Sequence, residues 1–334
     1  ERGFGRGDRV AIVHPSDARS VVLSLSVSSG MTVIPLNPAS TEEQIERELL
    51  GRQADTVLQV AGTPECPRIA ARKLGLPIVD MHWDGPSMDS GFTLDGGRGA
   101  PARLPGLAGE DDIALVLASS GTTSDSRIVP IRHHAFAIRA KRGARKYTET
   151  DRGLTMVPVY LSTGIMNAAG SLANGASSII ASTLNTETYF QIFETLQPTW
   201  LQASPALLKG ILSEIHHNNR DVRHGQIRFI RPASGRISRE DSDALEGIFG
   251  CAVIEAYGTT ETGKIACNPF PPERRIPGTV GLPLDCDIAI RGEEGQFLPA
   301  GEQGEIVIRR DHVFDGYEND LAETEAAFID GWYR

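Results

Sequence analysis

The 334-residue chain has no apolar run longer than Ile113–Ala118, far short of the roughly 18 residues of a membrane-spanning helix, so it reads as a soluble protein. Basic excess is also missing. The 43 acidic residues against 33 Lys and Arg leave a formal charge of −10, which argues against a nucleic-acid-binding surface. Only four cysteines occur, Cys66, Cys251, Cys267 and Cys286, without the close-paired spacing of a zinc site or a redox dithiol. They read as free thiols of a reducing cytoplasm. The absence of a fixed-period repeat, a low-complexity tract or five consecutive like charges excludes solenoid and charged-tail organisations. The opening ERGFGRGDRV carries neither an initiator methionine nor a leader and reads as the interior of a longer polypeptide. What is present, 40% hydrophobic and 23% charged residues over a length of about two domains, can bury a substantial core without disulfides.

Along the chain, short β-type runs alternate with helical spacing. Arg9 to Val13, Thr32 to Leu36, Asp55 to Val60, Pro77 to Asp80 and Ile113 to Ala118 predict strands, with helices over Ser20 to Ser29, after Ser40, and near Ile69 to Leu74. Ser40 with Glu43 three residues later is a capping-box signature. The Gly/Pro/Asp-rich stretch Gly85 to Asp112 predicts a long surface connection. Helix and strand then alternate from His133 to Ala256, which argues for an α/β fold with mainly parallel sheets buried on both faces. After Gly258 the runs Asp287 to Arg291 and Gly304 to Arg309 alternate in period two, predicting a small C-terminal antiparallel β-region. The expected organisation is layered α/β subdomains over residues 1–150 and 151–270, the nucleotide site at their boundary, and a small β-rich subdomain over 271–334.

Three segments could carry chemistry. In LVLASSGTTSDSRIVP, a buried-type strand opens into Ser119, Ser120, Gly121, Thr122 and Thr123, whose hydroxyls and backbone amides could meet an anion at a strand's carboxyl end. No Walker A triplet is present. In VIEAYGTTETGKIACNP, Tyr257 could stack on a base, Thr259 and Thr260 could donate to phosphate, and Glu261 could hold a magnesium ion bridging phosphate oxygens. GTVGLPL at Gly278 to Leu284 is followed by GEIVIRRDHVFDGYEND and FIDGWYR.

In this order and spacing, over nearly the whole chain, the segments resemble the adenylate-forming superfamily of acyl-CoA synthetases and peptide-synthetase adenylation domains. Further matches are PLNPAS at Pro35 to Ser40, PVYLSTG at Pro158 to Gly164, PTWLQASPALLKGIL at Pro198 to Leu212 and RFIRPASGRIS at Arg228 to Ser238. The resemblance implies activation of a carboxylic acid by ATP to acyl-AMP, followed by transfer to the thiol of CoA or of a carrier-protein phosphopantetheine. It implies ATP and Mg²⁺, with Ser119 to Thr123 and Arg127 around the phosphates. Ser234, Gly235 and Arg236 would run along the adenine, and Glu255, Ala256, Tyr257, Gly258 and Thr259 would border the nucleotide. Thr260 would touch the α-phosphate and Glu261 the metal. The acid would lie between Tyr160, Leu161, Ser162 and Ile165, Ala233, and Thr262 with Gly263, where small and apolar residues fit a modest apolar or aromatic acid. The segments stand nearest the oxalate-CoA-ligase-like and synthetase loading-domain branch.

The departures from the family pattern are specific. Ser124, Ser126 and Arg127 stand where the phosphate loop usually has glycine, proline and lysine, and arginine is a broader, planar donor than lysine. Ser162 stands near the point where amino-acid-activating domains place an aspartate, which argues against an α-amino acid. The family's C-terminal lysine domain has no counterpart, since the lysines are Lys73, Lys141, Lys146, Lys209 and Lys264, and the piece alone is expected to be weakly active or inactive. The expected partners are a small carboxylic acid and a carrier-protein domain, with neither nucleic acid nor a membrane span. The altered loop also motivates an alternative, a non-catalytic nucleotide-binding homologue. His133 with His134, and His216 with His217, are not read as metal pairs, because adjacent helical residues face different ways.

Overall fold

The computed structural model describes residues 2–15, 17–85, 89–99, 101–102, 104–119, 127–181, 183–218, 220, 222 and 226–334. The first part runs β1 (Arg9–Val13), α1 (Ala18–Ser28), β2 (Thr32–Pro35), α2 (Glu42–Gly51), β3 (Thr56–Val60), α3 (Cys66–Lys73), β4 (Ile78–Trp83) and β5 (Phe92–Gly96), then β6 (Ile113–Ala118) and β7 (Ile128–Arg132). These seven strands form one sheet in the order β5-β4-β3-β1-β2-β6-β7. Its middle is parallel, and β5 and β7 are antiparallel at the two edges. The β1, β2 and β3 side chains are buried almost without exception, as strands covered on both faces require.

The second part follows α4 (His133–Gly143) with β8 (Arg152–Met156), α5 (Ser162–Ala173), β9 (Ser177–Ile180), α6 (Thr186–Leu196), β10 (Trp200–Ala203), α7 (Pro205–Asn218), β11 (Phe229–Pro232), α8 (Arg239–Phe249) and β12 (Ala252–Val253). Its five strands are all parallel, ordered β12-β11-β10-β8-β9. One face, with Leu154, Leu201 and Ile230, packs against Leu208, Ile211 and Leu245 of α7 and α8. Trp200 and Phe229 on the other face stack with Tyr147 at centroid distances of 4.7 and 5.9 Å. Two small antiparallel sheets complete the chain. One contains β13 (Ala256–Thr259), β14 (Gly263–Cys267) and β15 (Leu282–Pro283). The other contains β16 (Asp287–Arg291), β17 (Glu305–Arg309), β18 (Phe328–Ile329) and β19 (Trp332–Tyr333), with α9 (Leu321–Ala327) between β17 and β18.

The α/β architecture with mainly parallel sheets and an antiparallel C-terminal region matches the expectation. Three local readings are corrected. The α2 capping box belongs to Thr41 and Gln44, one residue beyond Ser40 and Glu43: Thr41 Oγ1 accepts from Gln44 N–H at 3.3 Å, and Gln44 Oε1 accepts from Thr41 N–H at 2.8 Å. The stretch Gly85 to Asp112 is not wholly connection, because β5 lies inside it. A second strand not read from the sequence, β7, pairs antiparallel with β6.

Candidate active site

The hairpin of β6 and β7 brings the first motif to a sheet edge. Ala118 pairs with Ile128, Ser119 N–H donates to Arg127 O at 2.9 Å, and Arg127 N–H donates to Ser119 Oγ at 3.1 Å. Of the expected phosphate loop, Ser120, Gly121, Thr122 and Thr123, with Ser124 and Ser126, lie outside the described residues. Arg127 leans over the Tyr317 ring, 5.1 Å from its centroid, and pairs with Glu323 at 2.5 Å. Hydrogen bonding to Tyr317 raises its already high pKa.

The second motif is the tight connection between β13 and β14. Thr259 and Thr262 brace it from within, Thr259 N–H donating to Thr262 Oγ1 at 3.0 Å and Thr262 N–H to Thr259 Oγ1 at 3.3 Å. Gly258 is required by close approach, since a Cβ there would lie 2.0 Å from Gly263 O. Arg139 of α4 clamps the turn from outside, donating to Thr260 O at 3.0 Å, Glu261 O at 2.6 Å and His312 O at 2.8 Å. Burial lowers the Arg139 guanidinium to about 10, with Arg310 adding to the shift.

So held, the Glu261 carboxylate is buried, and its Oε1 accepts from Tyr317 Oη at 3.0 Å. The Tyr317 and Tyr333 hydroxyls lie 3.2 Å apart, and burial raises the pKa of both. A chain of contacts thus runs from Arg127 through Tyr317 to Glu261, joining the first two motifs. Tyr317 and Tyr333 belong to the FDGYEND and FIDGWYR segments; the tyrosine in each was the available signal. Arg139, in an ordinary helical stretch, carried none. Among the described residues no group of three His, Cys, Asp or Glu could enclose a metal ion. Glu261 as a single carboxylate fits a magnesium ion held mainly by phosphate oxygens.

The residues expected to border the adenine follow the carboxyl ends of β11 and β12. Ser234 takes a left-handed φ of 61°, and Ser234, Gly235 and Arg236 are exposed. Tyr257 is 39% exposed, its ring available to a planar ligand. Glu255 is tied to Asn268, which donates N–H to Glu255 O at 2.8 Å and accepts Glu255 N–H at 3.1 Å; burial raises the Glu255 carboxyl, with Arg236 opposing. An open groove of about 650 Å³ passes here, lined by Arg236, Ser238, Glu255, Asn268, Arg274 and Gly278. Ala256 and Gly258 sit on β13.

Of the expected acid-binding residues, Tyr160 is half-buried, Leu161 exposed, and Ser162 opens α5. Ala233 and Thr262 are buried, and Gly263 has a left-handed φ of 64°. Ile165 is packed into the core shared with β1 and β6.

Comparison with known proteins gives a consistent family. The family described as "AMP-binding enzyme" matches residues 1–318. An oxalate–CoA ligase of Arabidopsis thaliana is 30% identical over 347 residues, covering 100% of this chain and 66% of the relative. A sulfoacetate–CoA ligase of Cupriavidus necator is 28% identical, covering 99% and 65%. The crystal structure of ATP-bound MatB from Rhodopseudomonas palustris superposes with a TM-score of 0.84 at 25% identity, over 99% of this chain and 66% of that one. The chain therefore spans just under two thirds of the length of these relatives.

Proposed function

Because the chain belongs to the AMP-binding enzyme family, we propose that the protein containing it activates a carboxylic acid with ATP and passes the acyl group to CoA. An oxygen of the carboxylate attacks the α-phosphorus, the bond to the β-phosphate oxygen breaks, and acyl-AMP and pyrophosphate form. A thiol sulfur then attacks the acyl carbon, its proton is lost, and AMP leaves. The observation that carries this reading is the β13–β14 turn, which sets Glu261 on Tyr317 within reach of the Arg127 end of the β6–β7 hairpin. Charge developing on the phosphates is met by preorganised donors rather than by a protein nucleophile. Glu261 would hold magnesium, which neutralises that charge when bound. Thr260 would donate to the α-phosphate, with Ser119 and residues 120–123 around the other two. Tyr257, Ser234, Gly235 and Arg236 would receive the adenine, beside Glu255, Ala256, Gly258 and Thr259.

The ligases similar to this chain use CoA, which favours CoA over a carrier-protein phosphopantetheine as acceptor. Four free cysteines fit a cytoplasmic location. Of the proposed boundaries, 150 falls between the seven-stranded and five-stranded sheets, whereas 270 falls within the three-stranded sheet, between β14 and β15. A second reading, nucleotide binding without catalysis, is favoured by one contact, the pairing of Arg127 with Glu323.

Magnesium-dependent ATP–pyrophosphate exchange by the full-length protein separates the two. Exchange with one acid, reduced at least ~100-fold in Glu261→Gln, is the expected result. A folded, ATP-binding protein silent with every acid would leave the non-catalytic reading.

A further inference from the structure

The inner face of the five-stranded sheet carries polar groups that the adenylation chemistry does not use. Thr155, Gln202 and Arg231 are aligned across β8, β10 and β11, Gln202 in register with both neighbours, so the three side chains share one face. Each is the last residue but one of its strand, at the carboxyl edge where ligands of parallel sheets bind. All three are at least 97% buried, yet Thr155 Oγ1, Gln202 Oε1 and Arg231 Nε have no hydrogen-bond partner among the described residues. Asn167 of α5, also buried, adds an Nδ2 without a partner among the described residues. Buried polar groups are nearly always paired, and four orphans in one cluster point to an absent partner.

The charge says what that partner is. Arg231 donates to Tyr147 Oη at 2.6 Å and faces the Tyr147 and Phe229 rings. Lys264 of β14 joins the same cluster, its Nζ donating to Gly143 O at 3.0 Å and Asn167 Oδ1 at 3.4 Å. Tyr147 Oη lies 3.4 Å from the same Asn167 oxygen, so one short network joins the two cations. Among the described residues neither has a carboxylate within ion-pair distance; the nearby Asp151 is taken up by Arg228 and Thr199. Burial, with Arg231 alongside, holds the Lys264 amine well below its ordinary pKa, as expected of a cation lacking its counter-ion.

We propose that Arg231, Lys264 and Asn167 form a subsite for a second anionic group on the acid, so that the substrate is a short dicarboxylate or a sulfonated carboxylate. This rests on the adenylation reading and names its substrate class. Arg231 lies two residues before Ala233, Lys264 one after Gly263, and Asn167 two after Ile165, so each belongs to or adjoins a segment expected to bind the acid. An uncharged tail would leave two enclosed cations unpaired and would be rejected for that reason. The apolar or aromatic acid expected from the small residues of these segments is the competing substrate class.

The test uses the full-length protein with oxalate, malonate, succinate and sulfoacetate, and with the monomethyl esters of the three diacids. Pyrophosphate exchange with at least one doubly anionic acid should exceed that with its uncharged-tail partner at least ~100-fold in kcat/KM. Lys264→Met should shrink this ratio at least tenfold, and Lys264→Arg should restore part of it. Because the selectivity is first read in the unmodified protein, a variant that fails to fold does not remove the test. Equal or better exchange with uncharged tails overturns the subsite and leaves adenylation standing. Silence with every acid overturns adenylation; calorimetric binding of a diacid, lost in Lys264→Met, would then still support the subsite, and no binding would overturn it.

Discussion

At the scale of single residues, much of the site is built by donors that sit far from their acceptors in sequence. Glu261 was legible as a carboxylate after two threonines, but its orientation depends on Tyr317, 56 positions on, and on Arg139, 122 positions back. Sequence spacing cannot report such pairs, because the α/β layers fold between them. His312 shows the same dependence and gives a pH prediction. It is 2% exposed, and its Nε2 accepts from Arg310 Nε at 2.8 Å. Burial lowers its pKa to about 4, and Arg310, Arg142 and Arg139 all oppose a further positive charge. The folded state therefore binds fewer protons than the unfolded state between an unfolded pKa near 6.5 and the folded value. Stability should be fully present above that window and fall by about 3 kcal/mol as pH drops through it. Urea denaturation at pH 7 and pH 4 measures the loss, and His312→Gln should flatten it. An equally steep decline in that variant would place the effect elsewhere.

At the scale of elements, the central strands were legible because burial on both faces writes itself as continuous apolar runs such as Ile113–Ala118. The edges were not. β5 exposes most of its residues and sits in a Gly/Asp-rich stretch, and β7 carries Pro130, which a sequence pattern scores against a strand although an edge position tolerates it. Helix ends are set by individual hydrogen bonds, so the one-residue error at α2 is open to direct test. Thr41→Ala removes the Oγ1 acceptor of the capping box and should cost about 1 kcal/mol, whereas Ser40→Ala should be close to neutral. Chemical denaturation of the two variants decides between them, and the reverse ranking would refute the structural assignment.

At the scale of the whole molecule, the C-terminal sheet shares a core with the first one. Phe314, Tyr317 and Tyr333 pack in the same apolar cluster as Val10, Val33 and Leu115. Arg9 of β1 pairs with Glu318, and Glu318 N–H donates to Ile128 O at 3.0 Å. Phe314 makes edge contacts with Tyr317 and Tyr333 at 4.7 and 5.4 Å. Phe314→Ala should therefore cost about 3–5 kcal/mol, and hydrogen exchange should speed up in β7 as well as in β17. Acceleration confined to the C-terminal sheet would show the two units opening separately.

The paired backbone at Ser119 and Arg127 closes the β6–β7 hairpin below residues 120–126. The two strands are thus joined by backbone bonds that involve none of residues 120–126. Replacing residues 120–126 by a segment twice as long should lower stability by only about 0.6 kcal/mol, while pyrophosphate exchange collapses. A protein so divided can lose its chemistry and keep its shape, which is the route by which such a hairpin would turn an enzyme into a binding protein.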